Sequence, residues 1–143
     1  MKSRTKARYA ALQALYEFDL TLHPLGQTLE ARAEEQGLDA ALYHFAQELV
    51  SGVAGSAEVL DTAIAHYAPE WPMDQVAVID RNILRLALWE VAVYKKTPLK
   101  VCINEAVELA KAFGTDSSPR FINGVLGSLA ENMDKVANAI IKA

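Results

Sequence analysis

Apolar residues recur along this chain at intervals of three and four almost from end to end. In the first segment Ala7, Ala11, Ala14, Leu15, Phe18 and Leu22 follow that spacing, the mark of a helix buried along one side. Pro24 and Gly26 end it. A short polar helix is predicted from about Thr28 to Gln36, stopped by Gly37. Asp39 is placed to cap the next helix, where Leu42, Phe45, Ala46, Leu49, Val50 and Val53 form a second stripe. Gly52 and Gly55 imply either close packing or a kink, and the helical pattern resumes through Val59, Leu60, Ile64 and Tyr67.

The stretch AHYAPEWPMD interrupts this rhythm. Pro69 and Pro72 break the helix, and Asp74 offers a new cap. From Val76 to Tyr94 the chain is apolar on more than one side, as expected of a central helix. Thr97-Pro98 stops it. Val101 to Phe113 reads as an amphipathic helix closed by Gly114 as its C-terminal cap. In TDSSP, Ser118 is expected as N-cap with Pro119 at the first helical position. Phe121, Ile122, Val125, Leu126 and Leu129 continue that helix, and Val136, Ile140 and Ile141 suggest a short final one. No strand, repeat or low-complexity tract stands out. The pattern therefore predicts an all-α protein of about seven helices. It forms one domain over 1–143, built of two packed helical subdomains, about 1–70 and 71–143.

Composition narrows the class. The 143 residues carry a net charge of −4, which favours solubility and gives no general sign of nucleic-acid binding. The single cysteine, Cys102, cannot form an internal disulfide, so a reducing compartment is expected. No stretch approaches the roughly 18 apolar residues of a membrane span. The basic start lacks the unbroken apolar centre of a secretory signal, because Gln13, Glu17 and Asp19 interrupt it. A cytoplasmic protein is expected.

Catalytic patterns are absent. His23, His44 and His66 have no metal-ligand spacing, and His44 with Glu48 lacks the second histidine of a zinc helix. Glu58 with Asp61, and Glu105 with Glu108, lack the histidine of a di-metal bundle. There is no glycine-rich phosphate loop and no nucleophile elbow. Cys102 reads as a small buried hydrophobe. These patterns predict no enzyme, no metal and no cofactor.

One asymmetry remains. Lys2, Arg4, Lys6 and Arg8 fall within the first eight residues, and no carboxylate appears before Glu17. At 100° per residue Lys6, Tyr9, Gln13 and Tyr16 share a sector away from the apolar stripe. Arg4 and Arg8 lie nearer the core side and escape burial only if the first turns project. Such an edge suits RNA, because cations neutralise phosphates and rings stack on unpaired bases. A solvated, frayed tail is the alternative. In GTDSSPRFINGVL, a helix start beside Arg120 and Phe121 suits a phosphate. Alternatively, Ser118 only caps, Phe121 is core and Gly124 permits close packing. Asp80, Arg81, Arg85 and Glu90 interrupt the central helix. They need partners if buried, and face another protein if not.

Three stretches, ARYAALQALY, DRNILRLALWE and INEAVELAKAFGTDSSPRFINGVL, together resemble the bacterial antitermination factor NusB family in order and separation. The resemblance implies two packed helical subdomains and no catalysis. It implies binding of single-stranded boxA leader RNA as a heterodimer with NusE, a small-subunit ribosomal protein. In the family that complex helps RNA polymerase read through terminators and supports ribosomal RNA synthesis. Carried onto this chain, the RNA-binding residues are Lys2, Arg4, Lys6, Arg8, Gln13, Tyr16, Arg120 and Phe121. Thr5 stands where the family often has arginine, and Lys2 is placed to compensate. Tyr16, Asp80 and Arg85 are expected at the NusE surface. Some members self-associate, so a homodimer is a further expectation. A similar domain begins some ribosomal RNA cytosine methyltransferases, but this chain stops at Ala143 with no catalytic cysteine motif. A helical interaction protein without RNA is the third reading.

Overall fold

The computed structural model describes residues 2–143. Seven α-helices are present among them: α1 (Ser3–Thr21), α2 (Leu25–Glu35), α3 (Ala40–Tyr67), α4 (Val78–Trp89), α5 (Leu99–Phe113), α6 (Ser118–Ala130) and α7 (Met133–Ile141). A 3-10 turn (Met73–Gln75) precedes α4 and a π-helical turn (Glu90–Tyr94) follows it. No strand occurs among the described residues, so the all-α expectation holds. None of their helices is long and apolar enough to cross a membrane.

The chain divides into two compact units, one ending at Gly55 and the other spanning Ser56–Ala143. The division falls inside α3, earlier than the proline-rich break that the sequence suggests. Pro69 and Pro72 do end α3, but its last turns already belong to the second unit. α3 runs unbroken through both Gly52 and Gly55, and a Cβ at Gly55 would meet nothing within 4 Å. Neither a kink nor close packing explains that glycine.

In the first unit, α1 packs on α2 through small side chains. Ala7, Ala10, Ala11 and Ala14 are completely buried, with Leu12 and Leu15 beside them. Leu29 and Ala33 of α2, and Phe45, Ala46, Leu49, Val50 and Val53 of α3, complete this core. Arg32 ties α2 to α1: its guanidinium reaches Glu35 at 2.7 Å and Glu17 at 3.2 Å, which raises its pKa. α2 begins earlier than expected, directly after Pro24, whose carbonyl accepts from the Thr28 hydroxyl at 3.1 Å. Asp39 caps α3 as expected, accepting from the Leu42 N–H at 2.9 Å.

The second unit buries Leu60, Ile64, Ile83, Leu84, Leu88, Ile122, Val125, Leu129 and Val136. α4 packs against α5 and α6, and α7 lies on the π-helical turn. The central helix thus runs on to Tyr94 as expected, but its last five residues widen into the π turn. The Lys95 N–H bonds the Glu90 carbonyl at 3.0 Å, the five-residue step of a π turn. Lys95 then closes it at φ 63°, a left-handed conformation uncommon outside glycine. Asp74 lies in the 3-10 turn and does not cap α4, whose N-cap is Ala77.

The α5–α6 corner also departs from expectation. Gly114 has extended backbone (φ −91°, ψ −167°), so it is no left-handed cap. It is needed for space: a Cβ there would collide with Ser118 Oγ and lie 2.9 Å from the Ala110 carbonyl oxygen. Ser117 takes the N-cap position of α6, and Ser118 instead accepts from the Thr115 N–H at 2.9 Å, closing the corner. Gly114→Ala should therefore cost about 1–3 kcal/mol through overpacking. Gly55→Ala should add about 0.5–1 kcal/mol of stability. Urea denaturation of both variants checks this; equal effects would refute the steric account of the corner.

Candidate nucleic-acid interface

The start of α1 breaks the usual electrostatic rules of a helix. Its N-cap, Lys2, makes no side-chain cap hydrogen bond, and no acidic residue lies in the first turn. Cations there oppose the positive end of the helix dipole, each costing about 0.3–1 kcal/mol. A ring from α3 offsets this. The Arg4 guanidinium lies 4.4 Å from the Phe45 ring centroid, and that of Arg8 lies 5.4 Å from it. Each contact contributes roughly 0.5–1 kcal/mol, more where water is excluded.

The cations are not equivalent. Lys2 and Arg4 are exposed and Lys6 is half-buried. Arg8, expected at the RNA edge with the others, is only 5% exposed, so the first turns do not project far enough to free it. Its position on the Ala7–Ala11 side of α1 turns it into the first unit, where it packs on Phe45. Thr5 is buried too, so the departure from arginine there falls on an inward-facing position. Farther along, Gln13 is half-buried and its Oε1 is a buried acceptor without a hydrogen-bond partner. Tyr16 is 37% exposed, and Leu20, one turn on, is 55% exposed.

In the second unit, Arg120 is exposed and Phe121 is half-buried at the start of α6. Phe121 is thus neither sealed core nor a free ring. It meets Trp71 edge to face, with centroids 5.5 Å apart and planes at 81°. Trp71 lies in turn against Gly124, where a Cβ would come within 2.9 Å of the indole. The segment carrying Trp71 is held by Ser128, whose hydroxyl donates to Glu70 at 2.7 Å and lowers that carboxyl's pKa. Sequence reasoning missed both Trp71 and the platform role of Phe45. The signals were a tryptophan one residue before a proline in a helix break, and an aromatic in the α3 stripe.

The expected partner residues also sit differently. Asp80 is 9% exposed, packed inward beside Ser118 instead of lying on the surface. Burial pushes its carboxyl above the ordinary range, and the Ser118 hydroxyl partly offsets that. The Arg85 side chain is 12% exposed and is engaged by Asp61 of α3, with Nη2 at 2.6 Å and Nε at 2.8 Å. Both placements have one cause: α4 is wrapped by its neighbours, so Arg85 pairs with Asp61 while Asp80 has only the neutral Ser118 hydroxyl beside it. Of the three residues, Tyr16 alone is exposed.

A sequence profile described as the NusB family matches residues 5–131. The chain belongs to the NusB family. The transcription antitermination protein NusB of Dehalococcoides mccartyi (strain CBDB1) is 45% identical over 136 residues, covering 95% of each chain. The solved structure of T. maritima NusB superposes with a TM-score of 0.79 at 32% identity, covering 96% of this chain and 92% of that one. A crystal structure of antitermination factors NusB and NusE in complex with dsRNA gives a TM-score of 0.81 at 26% identity, covering 92% and 98%. The NusB resemblance in the three sequence stretches is therefore borne out along most of the chain.

The buried Asp80 has a pH signature. Because its folded pKa is raised, the protonated form stabilises the fold; that contribution is full below the unfolded pKa and is lost as pH rises through the folded value. Asp80→Asn removes it. The variant should thus gain on wild type near pH 7 and lose that gain toward about pH 4. Paired urea melts at the two pH values measure this, and a pH-independent difference would refute it.

Proposed function

We propose that this protein is a transcription antitermination factor that binds boxA-type leader RNA together with NusE, promoting read-through by RNA polymerase and ribosomal RNA synthesis. The observation that carries this reading is the uncapped, cationic start of α1, with Arg4 held over Phe45. Family membership and the related NusB–NusE–RNA complex support it. The protein acts without catalysis, alongside the nascent transcript in the bacterial cytoplasm.

Lys2, Arg4 and Lys6 take phosphates on the first unit, where backbone N–H groups of the helix start add to the field. Arg8 acts from beneath, as a positioning residue. Gln13 and Tyr16 continue the same face of α1, and Tyr16 with Leu20 offers NusE an aromatic and aliphatic anchor. On the second unit Arg120 supplies a further phosphate contact and Phe121 a stacking face. A footprint of about four phosphates is modest, so a partner with contacts of its own is expected to raise affinity.

Fluorescence anisotropy with a boxA-type RNA, with and without NusE, tests the assignment. Arg4→Ala with Lys6→Ala should weaken binding and flatten the slope of log K against log salt by about 1.4, since each phosphate contributes about 0.7 on a single strand. Phe121→Ala should cost about 1–3 kcal/mol with little change of slope. No RNA binding by the wild-type protein with NusE present would remove the proposal. An unchanged slope in the double variant would remove those two cations from the site.

A further inference from the structure

Trp71 and Phe121 form two walls at nearly a right angle, and a cavity of about 460 Å³ opens beside them. That volume falls within the roughly 300–1,000 Å³ typical of small-ligand sites. Arg120, Asp80 and Ser117 also line it. The walls are aromatic, one rim is cationic, and a carboxylate lies among the polar groups.

The carboxylate is the informative part. Asp80 is 9% exposed, and its Oδ1 is buried without a hydrogen-bond partner. A buried acceptor left unpaired is costly, and native structures rarely keep one without a use. The Ser118 hydroxyl, which accepts from the Thr115 N–H, gives its own proton to the Asp80 carboxyl and leaves Oδ1 unpaired. A donor arriving from the cavity would satisfy Asp80.

We propose that this recess is a nucleotide pocket in which Trp71 and Phe121 clasp one base, Asp80 accepts a hydrogen bond from the base's exocyclic amino group, and Arg120 holds the adjoining phosphate. The proposal rests on the RNA-binding reading above and deepens it, because it makes the second unit a base reader as well as a stacking surface. Each part has a chemical reason. Every base has a π face for the rings to hold, so the rings give affinity without identity. A carboxylate acceptor selects a donor: the amino group of cytosine fits, while the carbonyl oxygen that uracil carries at the same ring position is repelled. Oδ1 is closed to water, so a base reaches it only by displacing part of the lining of the recess. Gly124 matters to that motion, since any side chain there presses on the indole.

The test compares ten-nucleotide oligo(rC) and oligo(rU) with the full-length protein at neutral pH. The two probes differ at the amino and carbonyl position, and in whether ring nitrogen N3 carries a proton. Wild type should favour oligo(rC) by about tenfold, the size of one charge-assisted hydrogen bond. Asp80→Asn, of equal size but able to donate as well as accept, should shrink the preference to about twofold or less. Trp71→Leu should weaken both probes by about fivefold with the salt slope unchanged. Trp71→Phe keeps a ring, and should retain most of the affinity, so it guards against a misfolded leucine variant. Equal binding of the two probes by wild type, or a preference that survives Asp80→Asn, overturns the pocket while leaving RNA binding in place. Failure of both probes to bind at any salt overturns the pocket, while the RNA reading falls only if boxA-type RNA with NusE present also fails to bind.

Discussion

The arrangement that the rest depends on is the contact between two arginines and one phenylalanine ring. Four cations at the positive end of a helix repel one another and the helix dipole. Left alone, that end would fray. Phe45 supplies a π face to Arg4 and Arg8 from a different helix, beside the buried alanines of α1. The charge is therefore held in place instead of being dispersed on a tail. Arg8 lies inside and Arg4 outside, so one cation serves the fold while the other stays open to solvent.

The second unit solves a related problem by packing. Gly114 leaves room for Ser118, Ser118 closes the α5–α6 corner, and the corner fixes where Arg120 and Phe121 emerge. Trp71 seats against Gly124 and turns its ring toward Phe121. Asp61 engages Arg85, which pins α4 to the end of α3. Rigid helices then carry short polar ends, and the proposed recognition chemistry uses those ends. The net charge of −4 over the whole chain keeps nonspecific attraction low, so that positive charge acts where it is concentrated.

Helix existence and the buried sides were legible in the sequence because periodicity reports burial directly. The stripes through Ala7–Leu15 and Phe45–Val53 both appear in the core. Asp39 was legible as a cap because capping is local. What could not be read were pairings between distant residues. Periodicity marks Phe45 as buried but does not say that two arginines lie against it. It marks Arg85 as a misfit on an apolar helix but does not name Asp61. Gly114 was read as a conformational requirement, whereas its neighbour's side chain is the cause. Trp71 sits in a break that has no period at all. In each case the missing information is tertiary, and the family match supplies ancestry without supplying these contacts.

The most direct test of the account is the RNA affinity of Phe45→Leu across a salt series, with folding checked by circular dichroism. Leucine keeps the residue apolar but removes the π face, so affinity should fall by roughly two- to fivefold at every salt concentration, with the slope unchanged. A folded Phe45→Leu protein that binds RNA as tightly as wild type would contradict the claim that this ring organises the cationic edge.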